Sequence, residues 1–224
     1  MEKLQHGYAA YRSDFLSRLS WRLRQRIFKI FMETFAPDEK TRVLDLGVMG
    51  NAHPLEIEAN YFEKLYPYPR MLHGVTLEDP AELRRQFPLC TFTRADARDL
   101  PFPDQSFDLV FSGAVVEHVG PREDQRRFVR EACRVGKNVF MATPNRYFPI
   151  EPHSRLPFVG YLPLAWFRKV LEALGLNELA SEEKLNPLSE SELYSLFDDT
   201  AKPEIVRIPL CFFTQNLAAI LKRF

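Results

Sequence analysis

The chain has 224 residues, 46% hydrophobic and 27% charged, which suits one soluble globular core and argues against two full domains. Thirty Lys and Arg balance thirty Asp and Glu. That argues against nucleic acid as a partner, because phosphate neutralisation needs a basic surplus or a strong basic patch. Phosphate-bearing or anionic-lipid partners remain open through local patches.

Cys90, Cys133 and Cys211 have no paired spacing, so a disulfide framework and a zinc site are both unexpected, no metal is assigned, and a reducing, cytoplasmic setting fits. No stretch approaches the about 20 apolar residues that span a bilayer. The first six residues run into a charged amphipathic stretch, so no secretory leader is expected.

Over 13–35, Leu16, Leu19, Leu23, Ile27 and Ile30 recur at three- and four-residue spacing, which predicts an amphipathic helix. Its other face carries Arg18, Arg22, Arg26 and Lys29. That face reads first as solvated; a cover over the active site or a peripheral contact with anionic lipid is the sharper alternative. After a loop over 37–42, residues 42–47 read as a buried strand ending in a turn. A short helix over 57–65, a strand over 71–77, a helix over 81–86 and strands over 90–94 and 107–112 follow. A helix over 122–134 and a strand over 138–142 complete the alternation.

Residues 144–163, rich in Pro and aromatics, form a long loop. Pro163 then opens a helix as its first residue, with Phe167, Val170, Leu171 and Leu174 on one face and Gly175 as the stop. A helix over 189–197 and closing strands over 204–210 and 216–222 end the chain; 217–221 also admits a helix. The pattern predicts a doubly wound, mostly parallel α/β sheet of seven strands. It has an N-terminal helix and an inserted loop after the fifth strand. We take it as one domain, with a helical cap over 1–40, a core over 41–143 and the substrate loop and closing elements over 144–224.

Three features stand at the C-terminal ends of predicted strands, where open α/β sheets bind ligands. In Val43-Leu-Asp-Leu-Gly-Val-Met-Gly-Asn51 a strand delivers an acid into a turn with Gly47 and Gly50. In His73-Gly-Val-Thr-Leu-Glu-Asp79, Glu78 can accept both ribose hydroxyls of an adenosine, with Thr76 as second choice. Alternatively Glu78 or Asp79 is an acid at a helix start. In the third feature Asp96 follows a strand and can accept from an adenine amino group, ahead of the fixed connector Leu100-Pro-Phe-Pro103.

Asp96-Ala-Arg-Asp-Leu-Pro-Phe-Pro-Asp-Gln-Ser-Phe-Asp-Leu-Val110, then Ser112 and Val116-Glu-His-Val119, resemble the class I S-adenosylmethionine-dependent methyltransferases. The nearest resemblance is to the group that includes ubiquinone and menaquinone biosynthesis enzymes. It covers 41–143 strongly and the rest by topology. It implies the Rossmann-like methyltransferase fold, S-adenosyl-L-methionine as cofactor, and methyl transfer to a small-molecule or lipid-like acceptor. It also implies that Asp45 and Gly47, with Gly50 and Asn51 of the turn, lie beside the methionine part. Glu78 would hold the ribose, Asp96 and Ala97 the adenine. Ser112 and Gly113 would face the cofactor, and His118 would stand on the substrate side.

The family usually has glycine where this chain has Met49 and Asn51, so the methionine half of the site is expected to be altered. His118 is the candidate catalytic base, or else a structural histidine at a helix start. Asn145, Arg146, Glu151 and His153 are candidate acceptor-binding residues in the 144–163 loop, or else groups that satisfy its own backbone. Phe148, Phe158, Tyr161, Trp166 and Phe167 are expected mainly in the core, with a lipophilic pocket as the alternative. Two competing functions remain: a dinucleotide enzyme, disfavoured by the missing Gly-x-Gly-x-x-Gly, and a non-catalytic assembly partner of the same fold.

Overall fold

The computed structural model describes residues 14–50, 59–197 and 202–223. Asn51 and positions 57–58 of the expected second helix lie outside the described residues. One sheet of seven strands runs in the order β3-β2-β1-β4-β5-β7-β6. The strands are β1 (Val43–Leu46), β2 (Leu72–Thr76), β3 (Thr91–Arg94), β4 (Phe107–Gly113), β5 (Gly136–Pro144), β6 (Glu204–Leu210) and β7 (Phe213–Leu221). The first five are mutually parallel, and β7 runs antiparallel between β5 and β6. All four residues of β1 are buried, as a central parallel strand covered on both faces requires. Chain order reverses beside it, with β2 on one side and β4 on the other. The carboxyl ends of β1 and β4 therefore flank the crevice where such sheets bind ligands.

Helix α1 (Asp14–Phe35) covers one face. Its Ile27 is buried, and its fully buried Phe31 meets Phe62, Phe111 and Phe140 edge-on at 5.1–5.7 Å. Such offset aromatic contacts add to the burial itself. Arg18, Arg22, Arg26 and Lys29 are exposed, as expected of the basic face, and Arg26 reaches the Pro209 carbonyl at 2.8 Å. Helix α2 (Tyr61–Leu65) shares this layer, and α3 (Ala81–Gln86) lies between β2 and β3 in sequence. On the other face α4 (Arg122–Val135) buries Phe128, Val129 and Ala132. A smaller cluster gathers Phe167 and Leu171 of α5 (Leu164–Ala173) with Val159 and Leu185.

Several expectations shift. Pro163 caps α5 rather than opening it, because its extended ψ of 142° is not helical. Leu174 is exposed rather than on the buried face, and Gly175 ends the helix at φ 75° as expected. A short helix α6 (Asn177–Ala180) was unforeseen. The helix expected over 189–197 contracts to α7 (Glu190–Tyr194), with Ser189 and Glu192 in a reciprocal cap. The closing segment is a strand, because ladders to β5 and β6 satisfy its backbone on both sides.

Of the five aromatics expected mainly in the core, only Phe167 is buried. Phe158, Tyr161 and Trp166 are 65%, 50% and 59% exposed, which places an apolar surface on the loop after β5 and the first turn of α5. Among the described residues no helix is long and apolar enough to cross a membrane.

Candidate functional site

The turn after β1 is built around Gly47, at φ 95°. A Cβ there would also come within 2.3 Å of a Val115 methyl, so both backbone and space call for glycine. Gly47 and Val48 each donate to the Val75 carbonyl, at 3.0 and 2.9 Å, tying the turn to β2. Met49, the departure from the family pattern, is held at its backbone. Its N–H donates to Asn60 Oδ1 at 3.0 Å, and its carbonyl accepts from Asn60 Nδ2 at 2.9 Å. Its side chain points out, 53% exposed, and Asn60 itself is left-handed at φ 51°. This clamp was invisible in the sequence because it links residues on opposite sides of 51–58.

At the end of β2 the residues divide the roles that the sequence left open. Thr76 is buried, and its hydroxyl accepts from the Glu78 N–H at 3.2 Å. Asp79 takes the structural role, its Oδ1 accepting from the Ala81 N–H at 3.0 Å as α3 begins. Glu78 is exposed, and its carboxylate lies across Gly50: a Cβ there would sit 2.6 Å from Oε2. Glu78 is thus an anchored acid with no hydrogen-bond partner for its carboxylate among the described residues.

Asp96 and Ala97 follow β3, as expected, but Asp96 is not a free acceptor. Arg98 Nη2 donates to its Oδ2 at 2.7 Å, and the Arg98 backbone N–H donates to Oδ1 at 2.9 Å. Arg98 also reaches Asp124 Oδ2 at 2.7 Å, so Asp96 is braced against the start of α4. The Arg98 hydrogen bonds outweigh partial burial and hold the Asp96 carboxyl below its usual range.

Asp45 is buried rather than presented to solvent. It meets Glu63 of α2 carboxyl to carboxyl, and apart from Asp45 no side chain among the described residues donates to Glu63. Burial first, and the facing charge second, push Asp45 well up; burial pushes Glu63 up as well. Nearby, a Cβ on Gly113 would lie 2.8 Å from the Tyr61 hydroxyl, which is buried without a partner. Ser112, expected to face the cofactor, is fully buried, its hydroxyl likewise unpartnered. The methionine side of the crevice therefore holds buried hydroxyls, those of Tyr61 and Ser112, that have no partner among the described residues. Sequence reasoning missed Tyr61 and Glu63, which have no motif of their own.

On the far side of β4, Val116–His118 forms a single tight turn. Buried Gln125 pins it by donating to the Val116 carbonyl at 2.9 Å and the Asn186 carbonyl at 3.0 Å. Glu117 is buried, and its Oε2 accepts from the Thr143 hydroxyl at 2.9 Å. His118 is part-exposed; its Nδ1 lies 2.8 Å from the Lys184 carbonyl. Asn145, Arg146, Glu151 and His153 come together as expected, lining one pocket with Glu117 and Pro187.

Two of the four are largely spent on backbone, however. Asn145 Nδ2 donates to the Thr214 carbonyl at 3.0 Å, and Arg146 donates to the carbonyls of Gly160 and Leu162 at 3.0 and 2.5 Å. Glu151 is buried, accepting from the His153 and Ser154 N–H groups, with Oε1 2.6 Å from His153 Nδ1.

Burial opposes charge on both members of that pair, but the mutual hydrogen bond wins, lowering Glu151 and raising His153. The His153 contribution to stability is complete below its unfolded value near 6.5 and is lost as pH rises through the raised folded value. The Glu151 contribution is present above 4.5 and is lost as pH falls through the lowered one. Glu151→Gln is therefore expected to lower the melting temperature more at pH 6 than at pH 9. An equal loss at both would remove the ion pair from the account.

Comparison with known proteins gives three findings. Residues 44–139 match the family described as "Methyltransferase domain". Two probable S-adenosylmethionine-dependent methyltransferases of Mycobacterium tuberculosis are 42% identical over 86 residues, spanning 34% of this chain. The chain spans only 30% of the length of those relatives. Among solved structures, magnesium protoporphyrin IX methyltransferase of Synechocystis, with bound SAH, superposes at TM-score 0.55 with 11% identity, over 91% of this chain and 83% of its own. The N-methyltransferase NodS of Bradyrhizobium japonicum, in complex with S-adenosyl-L-homocysteine, does so at 0.56 with 12% identity, over 88% and 85%. At these identities the structures speak for the fold.

Proposed function

We propose that this chain, whose residues 44–139 match the methyltransferase domain family, is a class I S-adenosylmethionine-dependent methyltransferase that transfers a methyl group from S-adenosyl-L-methionine to a small-molecule acceptor. The observation that carries this reading is the exposed Glu78 carboxylate lying across Gly50 at the end of β2, beside the point where strand order reverses. Its two oxygens suit a ribose diol. Asp96 and Ala97 suit the adenine edge one strand further out. On the other side of Gly47, the unpartnered hydroxyls of Tyr61 and Ser112 and the buried Asp45–Glu63 pair suit the polar end of a methionine moiety. Neither the dinucleotide alternative nor the non-catalytic one finds comparable support.

The cofactor brings an activated methyl group on a sulfonium. The chain's part is to hold acceptor and methyl in line and to keep water out. The small pocket lined by Glu117, Arg146, Glu151 and His153 has room for little more than a polar group, and we take it as the place where a polar end of the acceptor is held, beside the loop after β5. The exposed Phe158, Tyr161 and Trp166 on that segment favour an acceptor with a lipophilic part, or a membrane surface that delivers it. The spacing of Cys90, Cys133 and Cys211, which forms no motif pair in the sequence, supports a reducing, cytoplasmic setting.

His118, part-exposed with its ring 4.7 Å from that of the pocket residue His153, is our candidate for the ionisable group on the acceptor side. Offering the protein tritiated-methyl cofactor with extracted metabolites and lipids tests the reaction; label in an extractable product supports it, and label in none contradicts it. His118→Ala should then reduce turnover by about 100-fold, the usual scale for proton transfer or positioning, with cofactor affinity unchanged. Unchanged turnover would remove His118 from the site.

A further inference from the structure

We propose that Glu117, His118 and His153 bind one divalent first-row transition-metal ion at the edge of the acceptor pocket. One donor atom from each of the three lies within 4.8 Å of the other two. Three observations turn this proximity into a site.

The first is an oxygen with no donor. Glu117 is 1% exposed and its Oε2 is taken by Thr143, but its Oε1 has no hydrogen-bond partner among the described residues. Buried carboxylate oxygens ordinarily have partners. A cation is the partner that fits an oxygen facing two imidazoles.

The second is the tautomer of His118. Its Nδ1 is 2.8 Å from the Lys184 carbonyl oxygen, which can only accept, so Nδ1 carries the hydrogen. In the neutral ring the lone pair is then on Nε2, which lies 3.9 Å from Glu117 Oε1.

The third is the same arrangement on His153. Its Nδ1 is 2.6 Å from Glu151 Oε1, again an acceptor, which leaves Nε2 as the coordinating nitrogen. The two rings meet edge to face at 4.7 Å. An acceptor on the far nitrogen of each imidazole is the arrangement that orients metal-bound histidines.

Two imidazoles and one carboxylate match zinc, iron(II), cobalt(II) or manganese(II) better than magnesium or calcium, and they leave positions open for water or a ligand oxygen. Ligands at about 2.0–2.2 Å from one ion must stand closer together than these do, so binding requires the His118 ring to move in. Its part-exposed position at the end of a one-turn element allows that. The sequence hid the site because its ligands come from two separate loops and include no cysteine.

The ion would claim the Nε2 lone pair that a base would need, so ligation and base catalysis by His118 exclude each other. An acceptor oxygen would then be held by the ion. This last step rests on the methyltransferase reading; ion binding does not.

The competing occupant is a proton on His153 Nε2, facing Glu117. The test is titration of chelator-treated, full-length protein with Co2+ at neutral pH, followed by its visible d–d absorption, with Zn2+ as competitor. One equivalent is expected to bind. His118→Ala and His153→Ala should each weaken it about 100-fold, and Glu151→Gln, which removes only the orienting carboxylate, about 10-fold. His73→Asn, away from the site, should leave it unchanged. Circular dichroism confirms that each variant is folded.

No saturable Co2+ absorption in folded protein, or absorption unaffected by both His118→Ala and His153→Ala, overturns the site. S-adenosylhomocysteine binding measured on the same samples keeps the two readings apart. Loss of metal binding alone defeats the ion, and loss of cofactor binding alone defeats the methyl-transfer reading.

Discussion

Glu78→Ala is expected to weaken S-adenosylhomocysteine binding by about 100-fold, the scale of two hydrogen bonds to a charged group. The unliganded protein should keep its melting temperature to within about 2 °C, because an exposed side chain with no partner contributes little to folding. The size of the effect follows from how the acid is held. Thr76 braces the Glu78 backbone, and Gly50 lets the carboxylate lie close over the turn, so little freedom is lost when a ribose binds. Glu78→Gln, which keeps one acceptor oxygen but loses the charge, should fall between. Isothermal calorimetry on the three proteins measures this directly, and a loss under about threefold for Glu78→Ala would take the ribose away from Glu78.

The second large effect belongs to Gly47. At φ 95° an L-residue is strained by about 1–2 kcal/mol or more. The added methyl would also stand 2.3 Å from Val115. Gly47→Ala should therefore lower stability by about 3 kcal/mol and abolish measurable cofactor binding, because the turn and the loop after β4 must separate. Pairing it with Val115→Ala removes the two clashing methyls, leaving a Cβ contact of 3.1 Å, but not the backbone strain. The double variant should regain part of the stability in urea denaturation. Full recovery would mean that φ at Gly47 does not matter, and no recovery would mean that Val115 is not the obstacle.

How far the sequence revealed this depended on whether the determining contacts were local. The strand Val43–Leu46 was legible because a run of apolar residues around one acid, closed by glycine, has few other uses in a soluble chain. Asp96 and the connector after it were legible as an ordered motif. The bracing of Asp96 by Arg98 was only half visible, since the other anchor, Asp124, lies 26 residues further on. Glu78 and Asp79 were indistinguishable until the start of α3 claimed Asp79.

Met49 read as a defect in a glycine turn. In space its backbone is clamped by Asn60, eleven residues on, and only its side chain departs from the pattern. Hydrophobicity placed Phe158 and Trp166 inside, yet Arg146 ties the loop that carries Phe158 through the Gly160 and Leu162 carbonyls, Trp166 stands in the first turn of α5, and both rings face out. Arg146 and Asn145 line a pocket with Glu151 and His153, but their polar atoms serve the chain's own carbonyls. The buried meeting of Asp45 with Glu63 had no sequence signal, because α2 carries no motif and its approach to β1 is set by the packing of Phe62 on Phe111.

The central claim is that an adenosine-bearing sulfonium cofactor binds at the carboxyl ends of β1, β2 and β3. The most direct measurement is thermal unfolding of the purified protein with S-adenosylmethionine, S-adenosylhomocysteine or a nicotinamide dinucleotide. A ligand that binds only the folded state adds about 2.7 kcal/mol when present at 100 times its dissociation constant. The account predicts a concentration-dependent rise with both sulfur compounds, none with the dinucleotide, and loss of the rise in Glu78→Ala. No shift with either sulfur compound up to about 1 mM, or a shift with the dinucleotide alone, would contradict it.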